Sequence, residues 1–161
     1  MNDTRILWSG LTWQLGKEAI VQDVAGVKFV AGLSEFDYDD PGSIRLDEII
    51  QEHEWPSQKR KQEIENLKWY RYQDIDALPK ADLVDFDVII DTYDARTFDQ
   101  VVGLAVRARK PLICGVSELS QSQLALLNSA TRAVPVFYSD IIRFEAKEFI
   151  DQAVKMAQEV G

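Results

Sequence analysis

The stretch from Phe86 to Val116, FDVIIDTYDARTFDQVVGLAVRARKPLICGV, constrains the fold most, because its apolar period changes twice. Asp87-Val88-Ile89-Ile90-Asp91 is rich in β-branched residues and apolar on consecutive positions, as in a strand buried on both faces. Phe98, Val101, Val102 and Ala105 then fall at i, i+3, i+4 and i+7, the spacing of one buried helix face. Asp94 stands where an N-cap carboxylate would accept from the free amides of the first turn. Pro111 ends the helix, and Leu112-Ile113-Cys114-Gly115-Val116 opens a second buried strand. Two such strands joined by a helix predict a right-handed βαβ crossover in a parallel sheet. Ligands of such sheets lie beyond the carboxyl ends of the strands. That directs attention to Thr92, Tyr93, Ser117 and Glu118.

The rest of the chain extends this pattern on both sides. Arg5 to Ser9 begins a strand that Gly10 ends; Gly16, Ala19 and Ile20 mark a helix face, and Val27 to Leu33 is a second apolar strand. A β-turn-α-β opening about 30 residues long is the form of a dinucleotide-binding half-domain. Ser34 to Arg71 departs from the rhythm. It reads as an insertion of two short helices, acidic and then basic, with Leu46, Ile49, Ile50 and His53 on one stripe and Pro56 as the break. The basic helix starts at Lys59-Arg60-Lys61 and carries Ile64 and Leu67 inside; the charge runs themselves read as solvated faces. Ser120 with Gln123 forms a capping box for a further helix carrying Leu124, Leu127 and Ala130. Val134 to Tyr138 is a strand that Pro135 places near an edge or at its start. Ala146, Phe149, Ile150, Ala153, Val154 and Ala157 form the apolar stripe of a last helix. The expected fold is α/β: a Rossmann-like, doubly wound, mainly parallel sheet in one domain over 1–161, with a charged helical insertion over 34–71.

Composition narrows the function classes. With 27 acidic against 18 basic residues the formal charge is −9, which makes nucleic acid and anionic membrane poor partners. The apolar runs are far shorter than a membrane span, and the start MNDTRILW is no signal peptide. One cysteine makes no internal disulfide, so the expected location is the cytoplasm. One histidine excludes multi-histidine metal sites. There is no G-x-S-x-G elbow to support a hydrolase.

With the order of elements fixed, the run from Asp87 to Ser139 resembles the nucleotide-binding domain of bacterial dihydrodipicolinate reductase. That family has D-V-V-I-D-F-T, a helix, K-P-L-V-I-G-T-T-G, a helix with an E-E-Q-L type start, and V-P-V-L-Y-A-P-N. Phe29 to Leu33 is similar to its second strand, and the resemblance extends from about Arg5 to Phe149. It implies a lysine-biosynthesis reductase using a nicotinamide cofactor. The cofactor-facing segments depart from the pattern. Where the family has G-x-x-G-x-M-G, this chain has Gly10-Leu11-Thr12-Trp13-Gln14-Leu15-Gly16, with Trp13 on the middle glycine. That glycine lets helix amides approach a pyrophosphate. An indole there either fills the phosphate volume or stacks on a different ligand. Ser34-Glu35 stands at the ribose position, where Glu35 would accept from ribose hydroxyls and repel the extra phosphate of NADP. F-T becomes Thr92-Tyr93, G-T-T-G becomes Gly115-Val116-Ser117-Glu118, and A-P-N-F becomes Ser139-Asp140-Ile141-Ile142. The family's H-H-x-x-K and S-G-T-A segments, which handle proton transfer and substrate anions, have no match before the end at Gly161.

The resemblance implies cofactor contacts at Gly10, Trp13, Gly16, Glu35, Thr92, Tyr93, Gly115 and Ser117, with no catalytic and no metal-ligating residue. His53 reads as a boundary position and Cys114 as an inert core thiol. Asp91 and Asp94 either share a metal or proton, or serve locally, Asp94 as cap and Asp91 as acceptor for loop amides; the local reading is preferred. Two functional expectations follow. In the first, the chain is a truncated, non-catalytic relative of the reductase that acts as a binding or regulatory protein, with no cofactor, and with a second copy or a separate protein as partner. In the second, it is a working module that binds NAD or another adenine nucleotide, NAD only weakly, beside a separate catalytic subunit.

Overall fold

Ile6 and Trp8 lie on one face of the first strand and Leu7 on the other, and all three are fully buried. A parallel strand apolar on both faces needs helices on both. The structure, a computed structural model, describes residues 3–11, 14–22, 24–34, 50, 54–139 and 146–160. Its strands are β1 (Thr4–Ser9), β2 (Val27–Ser34), β3 (Lys68–Arg71), β4 (Val88–Asp91), β5 (Leu112–Cys114) and β6 (Val136–Tyr138). The described α-helices are α1 (Gln14–Ile20), α2 (Gln58–Glu65), α3 (Phe98–Ala108), α4 (Gln121–Ala130) and α5 (Ala146–Val160). The six strands are all parallel and run in the order β3-β2-β1-β4-β5-β6. This is the Rossmann-like, doubly wound α/β fold. α1, α2 and α5 cover one face of the sheet, with Phe149, Ile150 and Ile64 in that core; α3 and α4 cover the other, with Phe98, Val101, Leu104 and Leu127. Among the described residues no helix is long and apolar enough to cross a membrane.

The central unit matches its pattern closely: Phe98, Val101, Val102 and Ala105 are all buried, and Val88 to Asp91 are buried on both faces. The capping box is present in full. Ser120 Oγ accepts from the Gln123 amide (3.1 Å), and Gln123 Oε1 accepts from the Ser120 amide (3.0 Å). Pro135 immediately precedes the edge strand β6. Asp94, in contrast, is not the N-cap of α3. That position is Thr97, and Asp94 Oδ1 instead accepts from the Arg96 amide (2.8 Å), closing a turn one step earlier.

The expected insertion over 34–71 needs correction at its end. Lys68–Arg71 is not helix but β3, the strand that fills the outer position beside β2. The Trp69 ring lies so close to Gly32 that a Cβ there would stand 2.6 Å from it, which is how this edge strand seats on its neighbour. The second helix of the segment is present as α2, with Ile64 buried and Leu67 just beyond it. His53 and Glu35 lie outside the described residues, as do Leu46 and Ile49.

A solvated face is also wrong for one member of the basic run. Arg60 is 7% exposed. Its guanidinium stacks over the Phe29 ring (4.8 Å to the centroid) and donates to the carbonyls of Ile20 and Gln22 (3.3 Å each) at the end of α1. One turn on, Glu63 Oε1 accepts from the Phe29 amide (2.6 Å). β3 begins opposite Ala31, so Glu63 serves an amide that no neighbouring strand reaches. Arg60 and Glu63 also pair with each other at 3.5 Å. Together they fasten α2 to both α1 and β2. Burial pushes the Glu63 carboxyl up, against the Phe29 amide and the Arg60 cation, which hold it down.

β2 itself carries a bulge. Its pairing with β1 skips Val30 between Ile6↔Phe29 and Leu7↔Ala31. One extra residue reverses the alternation of faces. Phe29 therefore packs with α1 and α2, while Ala31 and Leu33 join the opposite core.

Candidate functional site

The sheet grows outward from β1 in one direction through β2 and in the other through β4, so the switch point lies between the carboxyl ends of β1 and β4. There Gly10 leaves β1 with φ +90°, and a Cβ on it would stand 2.9 Å from Tyr93 Cβ and 3.0 Å from Tyr93 Cα and N. Glycine meets both demands, the left-handed backbone and the close approach. Gly16, in α1, fits as tightly: a Cβ would stand 2.5 Å from Leu11 Cα and O. That packs α1 tightly on the turn after β1, the close approach that the last glycine of a dinucleotide turn allows.

Beyond β4 and β5, a cleft of about 260 Å³ is lined by Thr92, Tyr93, Asp94, Ala95, Gly115, Ser117 and Glu118. Four of the sequence-derived residues, Thr92, Tyr93, Gly115 and Ser117, thus meet at one hollow, with Gly10 packed behind Tyr93. Gly16 lies further back, under the turn, and Trp13 and Glu35 lie outside the described residues. The Thr92 hydroxyl is turned into the sheet: it accepts from Trp8 Nε1 (2.8 Å) and faces the Ser9 carbonyl (3.4 Å). Gln123 Nε2 donates to Ala95 O (2.7 Å), tying the first turn of α4 to the cleft wall.

The charges in this lining are carboxylates. Asp94 is held below the usual carboxylate range by the amide and side chain of Arg96, whose Nε lies 3.2 Å away. Glu118 is the second acid and is exposed. It also has φ +61°, a left-handed conformation that costs a non-glycine residue about 1–2 kcal/mol. Glu118→Gly is therefore expected to raise stability by about 1 kcal/mol, read from the urea midpoint at unchanged slope.

Beneath the cleft floor is a polar cluster that sequence reading resolves only in part. Asp91 is fully buried; its Oδ1 accepts from the Tyr93 amide (3.1 Å), and the Ser9 hydroxyl also bonds to the carboxyl. Ser9 Oγ lies 2.6 Å from the Tyr72 hydroxyl, and the Tyr72 ring stacks on Tyr93 with centroids 5.3 Å apart, 10° from parallel. Among the described residues Asp91 Oδ2 has no hydrogen-bond partner. Burial pushes the carboxyl up to about 7, against the Tyr93 amide and Ser9, and the like charge of Asp94 adds to the rise. Cys114, paired with Asp91 in the sheet, is a buried thiol pushed up to about 12 by burial, which fits an inert core residue. Asp91 and the loop amide it serves were legible; Ser9 and Tyr72 were not, being 63 residues apart with no spacing signal.

A larger hollow, about 610 Å³, opens at the opposite, amino edge of the sheet. Its lining mixes the cations Arg5, Lys28, Lys59 and Lys68 with the acids Asp3, Glu63 and Asp85; Lys68 pairs with Asp85 (2.8 Å), and Arg5 with Asp87 outside the lining (3.0 Å). The carboxyl-edge cleft is the candidate site because it lies outside the carboxyl ends of β4 and β5, next to the switch point between β1 and β4. Among the described residues no group of three or more His, Cys, Asp or Glu could hold a metal ion. No protein-family model matches the chain, and no curated protein matches it.

Proposed function

We propose that the chain is a non-catalytic relative of dihydrodipicolinate reductase that works by binding, as a regulatory or interaction protein. The observation that carries this reading is the lining of the carboxyl-edge cleft: two carboxylates, Glu118, which is exposed, and Asp94, which Arg96 pairs from outside the lining (3.2 Å), with no cation among the described lining residues. An anionic ligand group about 4 Å from an exposed carboxylate such as Glu118 is opposed by about 1 kcal/mol in water and about 4 kcal/mol near a protein surface. The cleft, at about 260 Å³, also falls below the range of about 300–1,000 Å³ that small-molecule sites occupy. The kinship draws support from Glu118, whose φ of +61° stands where the family has a glycine.

A second reading, a module for NAD or another adenine nucleotide beside a separate catalytic subunit, is favoured by Gly10 and Gly16. Both keep the backbone geometry that a dinucleotide turn needs. Calorimetric titration with NAD, NADP, their reduced forms and coenzyme A separates the two. The expected result is no binding tighter than millimolar, and no substrate-dependent oxidation of NADH or NADPH in the reductase assay. Micromolar NAD would establish the second reading. NADP binding tighter than NAD would mean that Glu35 points away from the ribose.

A further inference from the structure

A carboxyl group with no exposure and one unpartnered oxygen is stable inside a protein only with its proton on. Asp91 is such a group, and its position gives the proton a consequence. It ends β4, and the next residues, Thr92 to Ala95, form one wall of the cleft. Its Oδ1 holds the Tyr93 amide, the main polar tie from the carboxyl to that wall. Among the described residues the groups that face it offer no countercharge. Ser9 comes from β1, Cys114 from β5 and Tyr72 from the turn after β3; Asp94, from the loop itself, is an acid paired with Arg96. Once ionised, Asp91 gains solvation only by moving toward water, and the short way out is through its own loop.

We propose that Asp91 is a proton-operated latch on the carboxyl-edge cleft: with Oδ2 protonated it stays inside and holds the Tyr93 stretch of the Thr92–Ala95 wall closed, and on losing the proton it releases that stretch, while Trp8 and Gln123 keep hold of Thr92 and Ala95. The sign follows from the two states. The closed state binds the proton up to about pH 7, and an opened, hydrated aspartate binds it only to about 3.9. Opening therefore grows about tenfold per pH unit between these values and levels off above about 7. That the latch controls ligand entry rests on the reading of this cleft as the binding site. The latch itself does not, and its test uses no ligand.

The test is amide hydrogen exchange on the unmodified chain from pH 5 to 8, corrected for intrinsic rates. Protection of the Tyr93 amide is expected to fall on the order of 50-fold from pH 5 to 7 and then flatten, while staying below that of the Ile89 amide in the core of β4. In Asp91→Asn the same amide should show a flat profile. Carbon-13 titration of the Asp91 carboxyl in the unmodified chain gives an independent reading, with a midpoint expected near 7. Equal protection of Tyr93 and Ile89 at every pH would mean that the loop opens only with global unfolding, and would overturn the proposal. So would a carboxyl midpoint below pH 5. Both decisive readings come from the unmodified protein, so a failure of Asp91→Asn to fold leaves the test intact.

Discussion

Asp91→Asn is expected to make the protein more stable than its parent at pH 8, by about 2–4 kcal/mol, and by only about 1 kcal/mol at pH 4.5. The parent's stability should decline as pH rises through the same window. The folded state holds the Asp91 proton up to about pH 7, whereas the unfolded chain releases it at its ordinary value of 3.8. Between these values the folded state binds more protons than the unfolded one, so each pH unit costs up to about 1.4 kcal/mol, on the order of 4 kcal/mol across the window. The loss is complete above about 7. It is smaller if the ionised carboxyl escapes by opening the Tyr93 stretch of the Thr92–Ala95 wall at lower cost than burying the charge. Asparagine keeps an oxygen for the Tyr93 amide and Ser9 and places an uncharged amide where Oδ2 has no partner among the described residues. It should therefore reproduce the protonated state at every pH. Asp87 and Asp94 work in the opposite sense. Both have folded values below the ordinary range, so their contributions are present above about 3.8 and vanish only in more acid solution. Urea unfolding at pH 4.5, 6 and 8 for the two proteins measures the widening gap; parallel profiles would mean that Asp91 is hydrated in the folded state.

How legible the chain is depends on how local the cause of each feature is. The βαβ unit from Val88 to Cys114 is written in consecutive side chains, because burial on both faces forces apolar runs and a helix forces its own spacing. The Ser120–Gln123 box is three residues wide and equally readable. β3 is not, since KWYR is four residues long and charged at both ends; its two aromatics are an ordinary edge-strand pair only once β2 lies beside them. The burial of Arg60 was hidden for a related reason. A charge run looks solvated until the Phe29 ring and the end of α1 arrive from elsewhere in the sequence. At the site, proximity to strand ends identified Thr92, Tyr93, Ser117 and Glu118 as neighbours, and all four line the cleft. The Ser9–Tyr72 contact beneath them joins two segments that only the finished sheet brings together.

Gly16→Ala is the substitution expected to damage the fold most for its size, by about 3 kcal/mol. The added Cβ would stand 2.5 Å from Leu11 Cα and O and 2.6 Å from Gly10 O. All three atoms are backbone, so no change of rotamer relieves the contact and α1 must move. It has little room, because Ala19 and Ile20 on the same helix are fully buried in the core that also holds Phe149 and Ile150. Overpacking of this kind costs about 1–3 kcal/mol, and the upper end applies where backbone meets backbone. Gly103→Ala is the matched control. Gly103 is exposed in α3 with nothing within 4 Å of the new methyl, so the change should stabilise by about 0.5–1 kcal/mol through helix propensity alone. Thermal melts should then separate the two variants by about 7–16 °C, at about 2–4 °C per kcal/mol for a domain of this size. The outcome also bears on function, because the contact of α1 with the turn after β1 is the feature this chain shares with dinucleotide-binding turns. A neutral Gly16→Ala would mean that the contact is loose in solution, and the nucleotide-module reading would lose its structural support. A large loss would leave the tight turn in place, and with it the support that Gly16 lends the nucleotide-module reading.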